Sequence, residues 1–130
     1  MKLKMVSWNV RGLNDSWKHL VVRNLLREWN CDVVCLQETK LAGMDRQLVC
    51  SFWICPYVDW VALDADQTAG GVLMMWDRRA LEKLEVMVGQ FSISVWWQGM
   101  GDGFIWACSV VYGPNDNNLW GQMWNELIGI

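Results

Sequence analysis

The 130-residue sequence predicts a mixed α/β domain. Three observations predict it. A strand–helix–strand pattern fills the first 40 residues, and period-two alternation marks the middle of the chain. Hydrophobic residues make up 53% against 19% charged, which is enough apolar material for a packed core and too little charge for a disordered chain. The length fits about one domain, with no internal repeat, linker or low-complexity stretch.

Residues 3–8 read as a first strand, with Leu3, Met5 and Val6 turned inward. Residues 9–14 form a loop, punctuated by Asn9, Gly12 and Asn14. Asp15 or Ser16 then caps a helix in which Trp17, Leu20, Val21, Leu25 and Trp29 recur at helical spacing; Lys18, Arg23 and Arg27 take more polar positions, and Asn30 ends it. Residues 32–37 are a short, nearly continuous apolar run rich in β-branched residues, which suits a central strand covered on both faces. A helix crossing between two strands makes them parallel. Asn9 and Glu38, each just past the C-terminal end of a strand, therefore share one edge of the sheet, where α/β proteins place ligands.

Further on, residues 44–50 read as a short helix. Strands at 58–63, 70–76, 83–88, 91–97 and 104–112 read as an antiparallel meander. Gly89 is expected to supply a positive φ in the tight hairpin at 88–91, and residues 99–103 make a second turn. Phe91, Ile93, Val95 and Trp97 alternate as on a half-buried strand. After a loop at 113–117, Asn117 or Asn118 caps a last helix with Leu119, Met123, Trp124, Leu127 and Ile128 on one face.

The net charge is −3, but unevenly spread: residues 1–50 carry +3 and residues 51–130 carry −6. That acidity disfavours a protein holding nucleic acid mainly by electrostatics, yet leaves room for an enzyme that touches a few phosphates and carries a divalent cation. No window reaches the ~18 consecutive apolar residues of a membrane span, and the N-terminus lacks the apolar core of a signal peptide. The expectation is an intracellular chain, not secreted and with no membrane partner. The five cysteines are odd in number and sit in hydrophobic surroundings, so they read as buried thiols rather than a disulfide framework. Eleven tryptophans are too many for a core this small, so some should be partly exposed; one reading is that these pack against a part of the protein this chain lacks.

Glu38 is the strongest candidate for chemistry. A carboxylate at a strand end suits Mg²⁺, which takes one or two protein carboxylates plus waters and phosphate oxygens; taken alone, a solvated loop glutamate is the plainer reading. Asn9 can hydrogen-bond a carboxylate or phosphate, or simply satisfy its own turn. Tyr112, at the end of a strand before Gly113 and Pro114, can aim its hydroxyl at the edge that carries Glu38, or be only a strand-end aromatic. His19, the single histidine, is expected to be a surface or helix-terminus residue early in the first helix, facing away from that edge. No zinc site or Ser–His–acid arrangement can be drawn. Cys31 and Cys35 read as core, Gly70 and Gly71 as a strand start, and Asp64 and Asp66 as loop solvation. Taken singly, each plain reading prevails.

Together they do not. SWNVRGLN at 7–14, DVVCLQETK at 32–40, AGGVL at 69–73 and VYGPN at 111–115 occur in that order. This resembles the endonuclease/exonuclease/phosphatase superfamily, the fold of DNase I and of exonuclease III-like apurinic endonucleases. The wording is most similar to the endonuclease domain of plant LINE-type (non-LTR) retrotransposons. The resemblance implies a four-layer α/β/β/α sandwich, here partial and truncated at the C-terminus, and metal-dependent phosphodiester hydrolysis with DNA as partner. It implies Glu38 and Asn9 as the Mg²⁺ (or Mn²⁺) site, Tyr112 as a phosphate contact, and Arg11 and Asn115 near the substrate phosphate.

The chain departs from that family in lacking its GDxN-type and SDH-type segments, so that residues 1–130 read as a single incomplete domain. A missing general-base imidazole costs roughly 10²–10⁴-fold, and the chain alone is expected to be inert. Sheet edges and tryptophans left bare favour self-association. Two alternatives stand beside the nuclease reading: a non-catalytic remnant or interaction module, and a phosphatase of the same fold.

Overall fold

The computed structural model describes residues 3–65, 70–111 and 120–128. In chain order the elements are β1 (Met5–Asn9), α1 (Ser16–Trp29), β2 (Val33–Gln37), α2 (Arg46–Phe52), β3 (Val58–Leu63), β4 (Val72–Asp77), β5 (Leu81–Val88), β6 (Ser92–Gly99), β7 (Ile105–Val111) and α3 (Trp120–Ile128). The caps follow from residue chemistry. An Asp15 carboxylate oxygen accepts from the Trp17 N–H at 2.9 Å, and Asp45 does the same for Leu48 at 2.8 Å. Asn30 closes α1 in the left-handed conformation.

Two sheets form. The first has the order β1-β2-β4-β3, with β1 parallel to β2 and the other pairs antiparallel; the second is β5-β6-β7, antiparallel throughout. The expected single meander therefore divides. Its first two strands join the N-terminal sheet, and β4 inserts between β2 and β3 because every one of its residues is buried and needs cover on both faces. The core has two halves that follow strand alternation. Val34, Leu36, Leu73 and Met75 pack under the helices with Val22, Leu26, Val49 and Phe52. Val33, Cys35, Val72, Met74 and Trp76 face Ile93, Val95, Trp97 and Val110 of the second sheet. Ser92 points away from that interior and meets Glu126 of α3, so α3 begins a further layer on the outer side. The mixed α/β class and the layering agree with the sequence expectation.

Three details differ. The buried row of α1 is Val22 and Leu26, with His19 partly buried, while Trp17 is 66% exposed and Leu20 is exposed too. Apolar residues span more than half of this helix's circumference, so spacing alone left the buried stripe's centre free to rotate by a residue. Met5, on the edge strand β1, is exposed, while Leu3 on the same face packs against the core between the sheets and Val6 and Trp8 against the helix-side core. In α3, Met123 is buried but Trp124 and Ile128 are exposed. The proposed caps Asn117 and Asn118, with Leu119, lie outside the described residues. Trp17, Trp29, Trp106 and Trp124 are exposed, as a surplus of indoles requires.

Candidate active-site rim

Parallel pairing of β1 with β2 places Asn9 opposite Gln37. Asn9 and Glu38 thus leave the sheet at the same end. The ladder continues past the strands. Val10 N–H donates to the Gln37 carbonyl (3.0 Å), Gly12 N–H to Glu38 (2.7 Å) and Leu13 N–H to Thr39 (2.8 Å). β4 starts at this same end, with Val72 opposite Gln37, and Lys40 N–H donates to the Gly70 carbonyl at 2.6 Å. Gly70 runs so close to Glu38 that an added Cβ would stand 3.4 Å from its Cα and Cγ. The second sheet arrives here as well: Gln37 Nε2 donates to the Val111 carbonyl over 3.4 Å.

Glu38 is exposed, adopts φ +55, and its carboxylate makes no hydrogen bond or ion pair among the described residues. Its neighbours hold its peptide, leaving its carboxylate free. Asn9 is also exposed, and its Oδ1 accepts from the Arg11 N–H at 3.1 Å. The turn role is therefore real, and the amide nitrogen is left to donate. Arg11 lies one turn away, exposed at φ +55. Tyr112 and Asn115 lie outside the described residues. Asp64 is exposed at the end of β3, as its solvated-loop reading requires.

The site residues suit a divalent cation only in part. Among the described residues there is no group of three or more His, Cys, Asp or Glu side chains placed to hold a metal. One unpaired carboxylate with an amide beside it matches a hard cation that keeps most of its waters. It matches no cation that needs a closed protein cage.

Elsewhere the structure corrects one expectation and fills in others. His19 stands near the start of α1, as a helix-terminus histidine, but is half-buried rather than fully exposed: its ring packs edge-on against Phe52 at 4.7 Å and contacts the Leu13 carbonyl oxygen. All five cysteines are free thiols, with Cys31, Cys35 and Cys55 buried. Burial, with some help from nearby Cys108, pushes the Cys35 thiol up to about 12. Gly89 lacks the expected positive φ. A Cβ there would stand 2.4 Å from a Glu126 carboxylate oxygen, so the glycine makes room for α3. The rim roles of Gln37, Thr39 and Gly71 escaped sequence reasoning. Thr39 and Gly71 act through close backbone packing, which carries no pattern; Gln37 sat in plain view beside Glu38.

The fold defines a two-sheet α/β domain with a loop-built rim at the strand ends of its first sheet. A family model described as the Endonuclease/Exonuclease/phosphatase family matches residues 6–126, and the chain belongs to that family. It is similar to an exodeoxyribonuclease of Bacillus subtilis (strain 168), 41% identical over 39 residues, which are 30% of this chain and 16% of that protein. The AP endonuclease LMAP from Leishmania major matches with a TM-score of 0.61 at 18% identity, over 85% of this chain and 40% of its own. The human Nocturnin catalytic domain matches with a TM-score of 0.62 at 10% identity, over 82% and 48%. The chain therefore spans less than half the length of either structure. Among the described residues, no helix is long and apolar enough to cross a membrane.

Proposed function

We propose that this chain carries the cation-holding side of a DNA phosphodiesterase site, in an intracellular domain derived from a plant-like LINE retrotransposon endonuclease. The observation that carries the proposal is the register that brings Asn9 and Glu38 to one rim. The retrotransposon origin is supported by the SWNVRGLN and LQETK wording alone, and DNA as substrate by the nuclease names of two relatives. Glu38 would hold Mg²⁺ or Mn²⁺. When bound, the cation supplies Lewis-acid polarisation of phosphoryl oxygens. The Asn9 amide would donate to a phosphate oxygen or steady the Glu38 carboxylate, and Arg11 would neutralise phosphate charge. Tyr112 and Asn115 are the candidates for the remaining phosphate contacts. Support for that comes from the hydrogen bond that draws Val111 toward Gln37.

The chain has one histidine, and its ring is committed to Phe52 and Leu13. That favours a second reading, a non-catalytic remnant that self-associates through exposed aromatic surface such as Trp17, Trp106 and Trp124. Mn²⁺ titration followed by amide NMR tests the first. Signals from residues 9–12 and 38–40 should broaden in the native chain and far less in Glu38→Gln at unchanged melting temperature. Equal broadening in both would refute the cation role. Supercoiled plasmid with Mg²⁺ should stay intact, and Glu38-dependent nicking would overturn the remnant reading.

A further inference from the structure

We propose a second anion site at the far end of the first sheet: the cavity walled by Arg23, Arg27 and Arg79 takes a phosphate monoester. This does not rest on the phosphodiesterase reading. The cavity holds about 280 Å³ and lies between the C-terminal end of α1, the segment after α2, and the end of β4. Val33 pairs with Trp76 at this end, as Gln37 pairs with Val72 at the rim. Four residue steps along β2 separate the two ends, about 13 Å at ~3.3 Å per residue.

Three of the chain's six arginines line this one cavity, in a protein with a net charge of −3. They are not equivalent. Arg79 is committed: it forks onto Asp77, with Nη2 at 2.7 Å from Oδ2, and its guanidinium lies 4.5 Å from the Tyr57 ring centroid. The guanidinium groups of Arg23 and Arg27 make no hydrogen bond or ion pair among the described residues. They stand one helical turn apart, so their side chains are neighbours on one face. Two guanidinium forks converging from such positions suit the oxygens of one tetrahedral anion.

The charge count selects the ligand. Asp77 cancels Arg79, and the cavity keeps two positive charges, the complement of a phosphomonoester dianion. The C-terminal end of α1 opposes an anion with about half a charge, which two full charges outweigh. Part of the remaining wall is apolar, at Leu26, Trp53 and Ile54, beside Asn30 and the thiols of Cys31 and Cys55. It offers cover to an organic group attached to the phosphate. A concave site of this size admits a terminal phosphate and excludes the backbone of a duplex.

Calorimetric titration of the full 130-residue chain tests this, with inorganic phosphate, a nucleoside 5′-monophosphate and a DNA duplex without terminal phosphates. The monophosphate should bind saturably and more tightly than inorganic phosphate. Arg23→Gln/Arg27→Gln should weaken it by about tenfold or more, roughly 1.4 kcal/mol, and Arg23→Lys/Arg27→Lys by less. Arg27 is exposed, so Arg27→Gln alone keeps the fold and should weaken binding by about threefold. Glu38→Gln should change nothing. The site is refuted by a lack of saturable binding, by equal affinity in Arg27→Gln, or by a duplex that competes as well as the monophosphate.

Discussion

Among the described residues, four with side chains occupy the left-handed backbone region, and three of them, Arg11, Glu38 and Lys40, stand on the rim; the fourth, Asn30, is an ordinary helix cap. Such conformations cost of order 1–3 kcal/mol each and persist only where neighbours enforce them. Here the enforcement is visible in the bonds from Gly12 to Glu38 and from Lys40 to Gly70. Gly71 belongs to the same arrangement. It sits at φ +91, and a Cβ there would meet Thr39 Oγ1 at 2.5 Å, with the Ala65 nitrogen and Leu63 carbonyl oxygen close behind. Gly71→Ala should therefore cost on the order of 1–3 kcal/mol, a fall in melting temperature of several degrees for a domain of this size. A thermal melt checks this, and a variant as stable as the parent would show that the rim backbone is not held as described. The buried indole N–H groups of Trp76 and Trp97 are a different kind of cost. Neither has a hydrogen-bond partner among the described residues, and their rings meet edge-on at 5.6 Å between the sheets.

At the scale of elements, α3 shows what a single carboxylate does for a docked helix. Glu126 accepts from the backbone N–H of Gln90 and of Phe91 and from the Ser92 hydroxyl, at 2.5–3.1 Å. It joins the last helix to the turn between β5 and β6. Glu126→Ala removes the acceptor shared by three donors and should cost about 1–3 kcal/mol. Hydrogen exchange should show α3 and the turn at 89–92 losing protection together; loss confined to α3 would mean that the carboxylate does not couple them. Much of this level was legible. The β3 boundaries, the α1 caps and the parallel β1–β2 pair follow from apolar runs, capping residues and the crossover rule. The meeting of Asn9 and Glu38 at one rim, the core of the candidate site, was legible too, because strand direction alone fixes which ends meet. What was not legible depends on contacts between distant segments. Ser92 and Ser94 are buried although alternation marks them as outward; Glu126 receives one, and Ser109 hydrogen-bonds the other at 2.7 Å. Gly89 serves α3 rather than its own turn for the same reason.

At the scale of the whole molecule, the chain passes from the first sheet to the second in the turn from Asp77 to Ala80, and a carboxylate fastens that turn. Ala80 N–H donates to the Asp77 carbonyl at 3.0 Å, Asp77 N–H to the Asp32 carbonyl at 3.0 Å, and Arg79 N–H to Asp77 Oδ1 at 2.9 Å. Burial pulls the Asp77 acidity toward a higher pKa, but the hydrogen bonds and charge of Arg79, with a hydrogen bond from Cys55, together outweigh it and hold the carboxyl below its ordinary value of 3.8. A carboxyl whose folded value is depressed stabilises the fold fully above its unfolded value and loses that contribution as pH falls through the folded one. The effect therefore belongs to the window below about pH 4, and neutral pH leaves it intact. Denaturant unfolding at pH 6, 4 and 3 should show stability falling across the lower interval. Asp77→Asn should be less stable than the parent at pH 6, with a shallower fall below pH 4, because one group fewer takes up a proton on unfolding. If the two slopes coincide, the ion pair does not fasten the crossover, and the joint between the sheets must rest on the packing of Trp76 and Leu81 against Trp97 and its neighbours.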